Sequence, residues 1–96
     1  MSDPQGVKSA HTSTTTTTLF TGPFYLKGLT CLGTATAGTL TFYDGGSGGT
    51  VLLQIDVPGN ANNIQDTVIP GAGILFETSC YLTQPTGYNT TIFYGK

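Results

Sequence analysis

His11 is the only histidine of the chain, and its acids are Asp3, Asp44, Asp56, Asp66 and Glu77. General acid–base catalysis needs a group that titrates near neutrality within hydrogen-bond reach of the proton it moves. His11 stands between Ala10 and Thr12 in a polar stretch, remote in sequence from any acid, and reads as a solvated or contact-forming side chain. Glycoside hydrolysis would need two carboxylates facing one groove. Asp44 and Asp56 flank one hairpin, so folding could bring them together, although a solubilising role is the ordinary reading of each. Ser79 precedes Cys80 without a local base, and no Gly-x-Ser-x-Gly elbow occurs, so no activated nucleophile is expected. Cys31 and Cys80 read as buried thiols, since free cysteine is among the most buried residue types; a disulfide between them is the alternative. The expectation is a protein with no catalytic residue, no metal site and no cofactor.

The run Asp44-Gly45-Gly46-Ser47-Gly48-Gly49 invites two sharper readings. A phosphate-binding loop requires a following Lys and Ser or Thr, then a helix whose N-terminus faces the anion. Here Thr50 opens a strand. A calcium-binding nonapeptide repeat shares the glycines, yet this motif occurs once and lacks the repeated aspartates. As a hairpin connection the loop needs no ligand, because glycine reaches positive φ without steric cost and Asp44 can hydrogen-bond forward to the turn backbone.

Charge excludes further classes. Only 8% of the 96 residues are charged, against about 25% in an average soluble domain, and the net charge is −2. Lys8, Lys27 and Lys96 cannot form a phosphate-neutralising stripe, so no nucleic-acid partner is expected. No apolar run approaches the roughly 18 residues that cross a bilayer, and residues 1–20 lack the basic start and apolar stretch of a secretory signal. Synthesis in a cytoplasm follows as an expectation, and Asn89-Thr90-Thr91, although a glycosylation acceptor, would stay unmodified there. So few charges suit a surface covered by partners better than a free one.

The elements that must position these residues are strands. In Val51-Leu52-Leu53-Gln54-Ile55-Asp56-Val57 the odd positions are all apolar, the period of a half-buried strand, and Thr39-Leu40-Thr41-Phe42-Tyr43 alternates likewise. Phe24 to Leu32 changes its apolar face near Gly28, which predicts a bulge. With Ile64–Ile69, Ile74–Phe76, Ser79–Thr83 and Thr90–Tyr94, divided by Pro-Gly and Asn-rich turns, the pattern predicts an all-β fold. It would be an antiparallel β-sandwich or jelly-roll-like small barrel of about seven to eight short strands. Residues 1–18 read as an extended, Thr-rich N-terminal arm and 19–96 as one domain. The run Thr14, Thr15, Thr16, Thr17 and Thr18 favours extended backbone but supplies no apolar face, so it suits an edge strand, a strand added to a neighbouring copy, or a solvated linker. Tyr25, Tyr43 and Tyr81 sit in strands of mixed aromatic pattern, where one ring must face outward, as at protein interfaces. His11, Thr14 to Thr18, Tyr25, Tyr43 and Tyr81 are therefore the candidate assembly contacts.

The segment Gly38-Thr39-Leu40-Thr41-Phe42-Tyr43 with its glycine loop and Thr50-Val51-Leu52-Leu53, the run Ile69-Pro70-Gly71-Ala72-Gly73-Ile74-Leu75-Phe76-Glu77 and the final Ile92-Phe93-Tyr94 resemble small β-rich virion proteins of tailed bacteriophages, particularly those of marine cyanobacteria. The likeness spans about residues 22 to 95. It implies a non-enzymatic structural component of the virion: a capsid decoration or cement protein, or a tail, connector or fibre subunit. The implied partners are copies of itself, as a homo-oligomer such as a trimer, and other capsid or tail proteins; synthesis would be in the bacterial cytoplasm. A carbohydrate-binding or host-adhesion β-sandwich module, as in a tail fibre or tail tip, is the alternative that exposed tyrosines would also serve.

Overall fold

A computed structural model describes residues 7–59, 64–69, 71 and 73–95. Nine strands form among them: β1 (Lys8–Thr12), β2 (Thr16–Thr21), β3 (Phe24–Leu32), β4 (Gly38–Asp44), β5 (Thr50–Val57), β6 (Ile64–Val68), β7 (Ile74–Phe76), β8 (Ser79–Thr83) and β9 (Asn89–Gly95). The fold is all-β, two antiparallel sheets packed face to face as a small sandwich. The first sheet runs β1-β9-β3-β6, with β7 pairing the start of β3, and the second runs β2-β8-β4-β5. At one lateral side β1 lies against β2, so β6 and β5 are the outermost long strands of the opposite side.

Alternation builds the core. Leu26, Leu29 and Cys31 of β3, Leu40 and Phe42 of β4, Cys80 and Leu82 of β8, and Ile92 of β9 are fully buried or nearly so. The register of β3 against β9 shifts between Leu26 and Gly28, the bulge that the face change predicted, and this lets Leu26 and Leu29 both point inward. A side chain at position 28 would sit 3.0 Å from the carbonyl oxygen of Thr67, so glycine is what fits there. Phe20 closes one end of the core, stacked on Tyr94 at 4.4 Å between ring centroids and edge-on to Phe24 and Phe76 at 5.6 and 5.9 Å.

The chain from residue 8 differs from the arm read from sequence. β1 pairs with β9, Lys8 opposite Tyr94 through Thr12 opposite Thr90, and β2 pairs with β8. Each is an edge strand of its sheet, and β2 runs through the boundary placed at residue 18. The reason lies in the inward positions of β1: Ala10 packs on the core and Thr12 is buried, but one is small and the other polar, so the strand carries no apolar period. Residues 1–6 lie outside the described residues. Edge pairing of the Thr run is one of the readings given above, and its weak register shows as a shift between Thr18 and Phe20.

Candidate functional site

Asp44 and Asp56, the two acids that flank the hairpin, do not face one groove. Asp44 pairs with Thr50 at one end of the β4–β5 hairpin and Asp56 with Thr39 at the other, six residues along β5, which is about 20 Å. Nor does Asp44 cap its own turn. Positive φ at Gly45 and Gly46 (99° and 96°) turns the chain so that the carboxylate accepts the backbone N–H groups of Glu77 (3.1 Å), Thr78 (2.9 Å) and Ser79 (3.3 Å). The Thr78 N–H foremost holds the Asp44 carboxyl below the usual carboxylate range, with those of Glu77 and Ser79 adding to it. Gly45 N–H in turn donates to Ser79 O, and Gly22 N–H to Thr78 O, so three turns are tied together at this end. Asp56 accepts from the Thr39 hydroxyl (2.9 Å) and Asp66 from that of Thr30 (2.8 Å), each within a cross-strand pair.

Among the described residues no group of three or more His, Cys, Asp or Glu side chains could hold a metal ion. Cys31 and Cys80 are buried free thiols. Burial raises both, and Cys80, which also feels the Asp44 charge, is pushed up to about 12, so neither presents a thiolate near neutrality.

The candidate contact residues divide between two outer faces. Tyr43 and Tyr81 are cross-strand partners on the second sheet, their rings 6.0 Å apart and edge-on, with Thr18 beside Tyr81 in register. Thr16, Thr83 and Thr41 form the next row of that face. Tyr25 stands in the first sheet, opposite Leu75 of β7 and Gly95 of β9, and His11 is exposed on β1 opposite Thr91. The remaining threonines have other work. Thr17 is half-buried opposite Leu82, Thr14 closes the β1–β2 turn by hydrogen bonds with Thr12 and Thr16, and Thr15 O accepts from Gln84 N–H at 2.8 Å.

Two features escaped the reading of local pattern. Gln84, which stands beside the turn formers Pro85 and Gly87, is buried; its amide nitrogen lies 2.7 Å from Thr14 O, 3.3 Å from Tyr88 O and 3.4 Å from Thr12 O, while its amide oxygen accepts from the buried Thr90 hydroxyl. The second is the apolar exposure of the first sheet and its edge. Val68 is 86% exposed, Ile64 60% and Leu32, its cross-strand partner, 40%, with Leu75 and Phe93 also exposed. Val7, Val68 and Phe93 line an open groove of about 430 Å³ whose polar wall includes Lys27 and Asp66. Large apolar residues left in contact with water on one face mark interaction surfaces more often than isolated ones do. Compared with known proteins, the chain finds no match: no family model, no curated protein and no solved structure is similar to it.

Proposed function

We propose that this chain is a non-enzymatic structural protein of a bacteriophage particle, a capsid decoration or cement subunit made in the bacterial cytoplasm. It would act by packing its sheet surfaces against copies of itself and neighbouring virion proteins. One observation carries the protein-contact part of this reading: the first sheet turns Val68, Ile64, Leu32 and Phe93 toward solvent, Val68 and Phe93 lining a groove, instead of alternating apolar inside with polar outside. Scarce charge supports it, because few carboxylates or ammonium groups would have to be desolvated on assembly. The particle as the setting rests only on the resemblance read from the hairpin loop and the Pro-Gly turn within residues 22 to 95.

The test is co-sedimentation of the purified chain with particles lacking it, followed by imaging of the bound density. Val68→Lys should abolish binding while leaving the melting temperature within about 4 °C, since an exposed substitution typically moves stability by about ±0.5 kcal/mol or less. Binding unaffected by that change would refute the assignment of the surface. The Tyr43–Tyr81 pair, set among the Thr hydroxyls of the second sheet, favours carbohydrate stacking as a second reading. Binding on a glycan array that Tyr81→Ala removes would select it.

A further inference from the structure

The two outer faces of the sandwich differ in chemistry. The first sheet exposes aliphatic and aromatic side chains, whereas the second presents neutral hydrogen-bonding groups around two rings. On β4 and β8 the inward Phe42 and Leu82 are fully buried, so their neighbours along each strand face outward. Register aligns these into two rows across all four strands of the second sheet. One runs Thr18, Tyr81, Tyr43 and Val51, and the next Thr16, Thr83, Thr41 and Gln54. Neither row holds a charged residue. Three strand spacings of about 4.8 Å make each row about 14 Å long, enough for more than one sugar ring.

Hydrogen bonding within this face is incomplete. Gln54 donates its amide to Thr41 Oγ1 at 3.4 Å, but among the described residues the hydroxyls of Thr16, Thr18, Thr83, Tyr43 and Tyr81 have no protein partner. The two tyrosine rings, their planes 65° apart, meet edge-on and leave a shallow corner of ring surface beside those hydroxyls. We infer that this face binds a neutral oligosaccharide, laid across the strands with the C–H face of a sugar on the Tyr81–Tyr43 corner and its hydroxyls on Thr16, Thr83 and Gln54. This rests on the carbohydrate reading above and names its ligand class and the groups that recognise it. A sugar hydroxyl both donates and accepts, as a threonine hydroxyl does, so each contact is satisfied in either direction. The negative face of an aromatic ring attracts the weakly positive C–H bonds. Charge selects the class: an anionic glycan would find no cation in either row and would lie beside Asp56, which with Thr39 forms the next row of the face. A protein partner fits this face less well, because threonine is under-represented among the residues that carry binding energy at interfaces and a hydroxyl stranded there is penalised. Docking through the first sheet would leave the glycan face outward, on the opposite side.

The experiment is an NMR titration of the full chain, and of Tyr81→Ala, Thr83→Val and Val68→Lys, with uncharged cello-, malto- and galacto-oligosaccharides and with sialylated and sulfated ones. A neutral oligosaccharide should shift resonances of β2, β4 and β8. Thr83→Val keeps the shape of the side chain and removes its hydroxyl, so it should weaken that binding roughly fivefold without lowering the melting point. Tyr81→Ala should weaken it by about tenfold or more, and Val68→Lys, on the other sheet, should leave it unchanged. Binding confined to anionic glycans, or binding of neutral ones that ignores Thr83→Val and Tyr81→Ala alike, would overturn this site while leaving carbohydrate binding as such intact. No binding of any of these probes would overturn both, and co-sedimentation with particles judges the assembly reading separately.

Discussion

Replacing Gln84 by Leu removes a residue that ties four parts of the sandwich together. Its amide joins Thr12 and Thr14, at the crossing from β1 to β2, with Tyr88 and Thr90, at the crossing from β8 to β9. The two closest bonds, to Thr14 O and from the Thr90 hydroxyl, account for about 2 kcal/mol at about 1 kcal/mol each. Thr90 is wholly buried, so its hydroxyl would lose its acceptor where no water reaches, at a further cost of about 1–3 kcal/mol. Leu returns about 1 kcal/mol through apolar burial, leaving a net loss of about 3 kcal/mol. A domain of this size has roughly 5–14 kcal/mol in total, and each kcal/mol moves its melting point by about 4–8 °C, so the midpoint should fall by roughly 15 °C. Thermal and urea melts followed by circular dichroism measure this. Thr90→Val should also destabilise, but the double variant should be less impaired than the sum, because no hydroxyl is then stranded. A loss under about 1 kcal/mol for Gln84→Leu, or strict additivity in the cycle, would refute the reasoning.

Two further predictions test the ends of the structure. Phe20→Ala should cost about 3–5 kcal/mol by urea denaturation, since the ring touches Tyr94, Phe24 and Phe76; a loss under about 1 kcal/mol would mean that β2 is not part of the core. Asp44→Asn should cost about 1 kcal/mol at pH 7, by analogy with helix capping and after discounting for solvent screening. The folded-state pKa of Asp44 is lowered, so its contribution is complete above the unfolded value of about 4 and is lost as pH falls through the folded value. The wild-type advantage over the variant should therefore shrink as the pH falls below about 5, and a difference that stays constant through acid unfolding would exclude the Asp44 carboxylate as its source.

Local pattern revealed the strands whose inward positions are apolar. β3 with its bulge at Gly28, the β4–β5 hairpin, β8 and β9 all follow from period-two alternation and turn chemistry. β1 was hidden because Ala10 and Thr12 do in the core what Leu or Val would have advertised. In β5 the alternation was visible but its meaning was not. A register shift between Phe42 and Tyr43 sends Val51 outward to 46% exposure, and edge position leaves Leu53 and Ile55 half-buried, so the strand is less covered than its pattern suggests. The roles of Asp44 and Gln84 were hidden for one reason. Each looks like a turn former beside its own loop, but its partners are supplied from 33 to 35 residues away for Asp44 and as far as 72 for Gln84. Tyr43 and Tyr81 were legible as outward rings, whereas their pairing depends on β4 and β8 being neighbours, a fact of topology.

The two lateral sides of the sandwich show where the chain tolerates water. On the β1–β2 side the inward positions are Ala10, Thr12, Thr17 and the already buried Phe20, and the crossing is sealed by hydrogen bonds that Gln84 satisfies internally, which leaves little apolar surface for a partner to cover. On the β5–β6 side Val51, Ile64 and Val68 are exposed and the inward Leu53 and Ile55 are half so. Satisfied polar groups cost nothing further when left alone, while each exposed apolar side chain forgoes about 1.5–3 kcal/mol that burial would return. Association therefore gains most on the β5–β6 side. The Gln84 network keeps the opposite side closed, and a variant that breaks it should expose the edges of β1 and β2 to the same indiscriminate strand pairing that their polar residues now discourage.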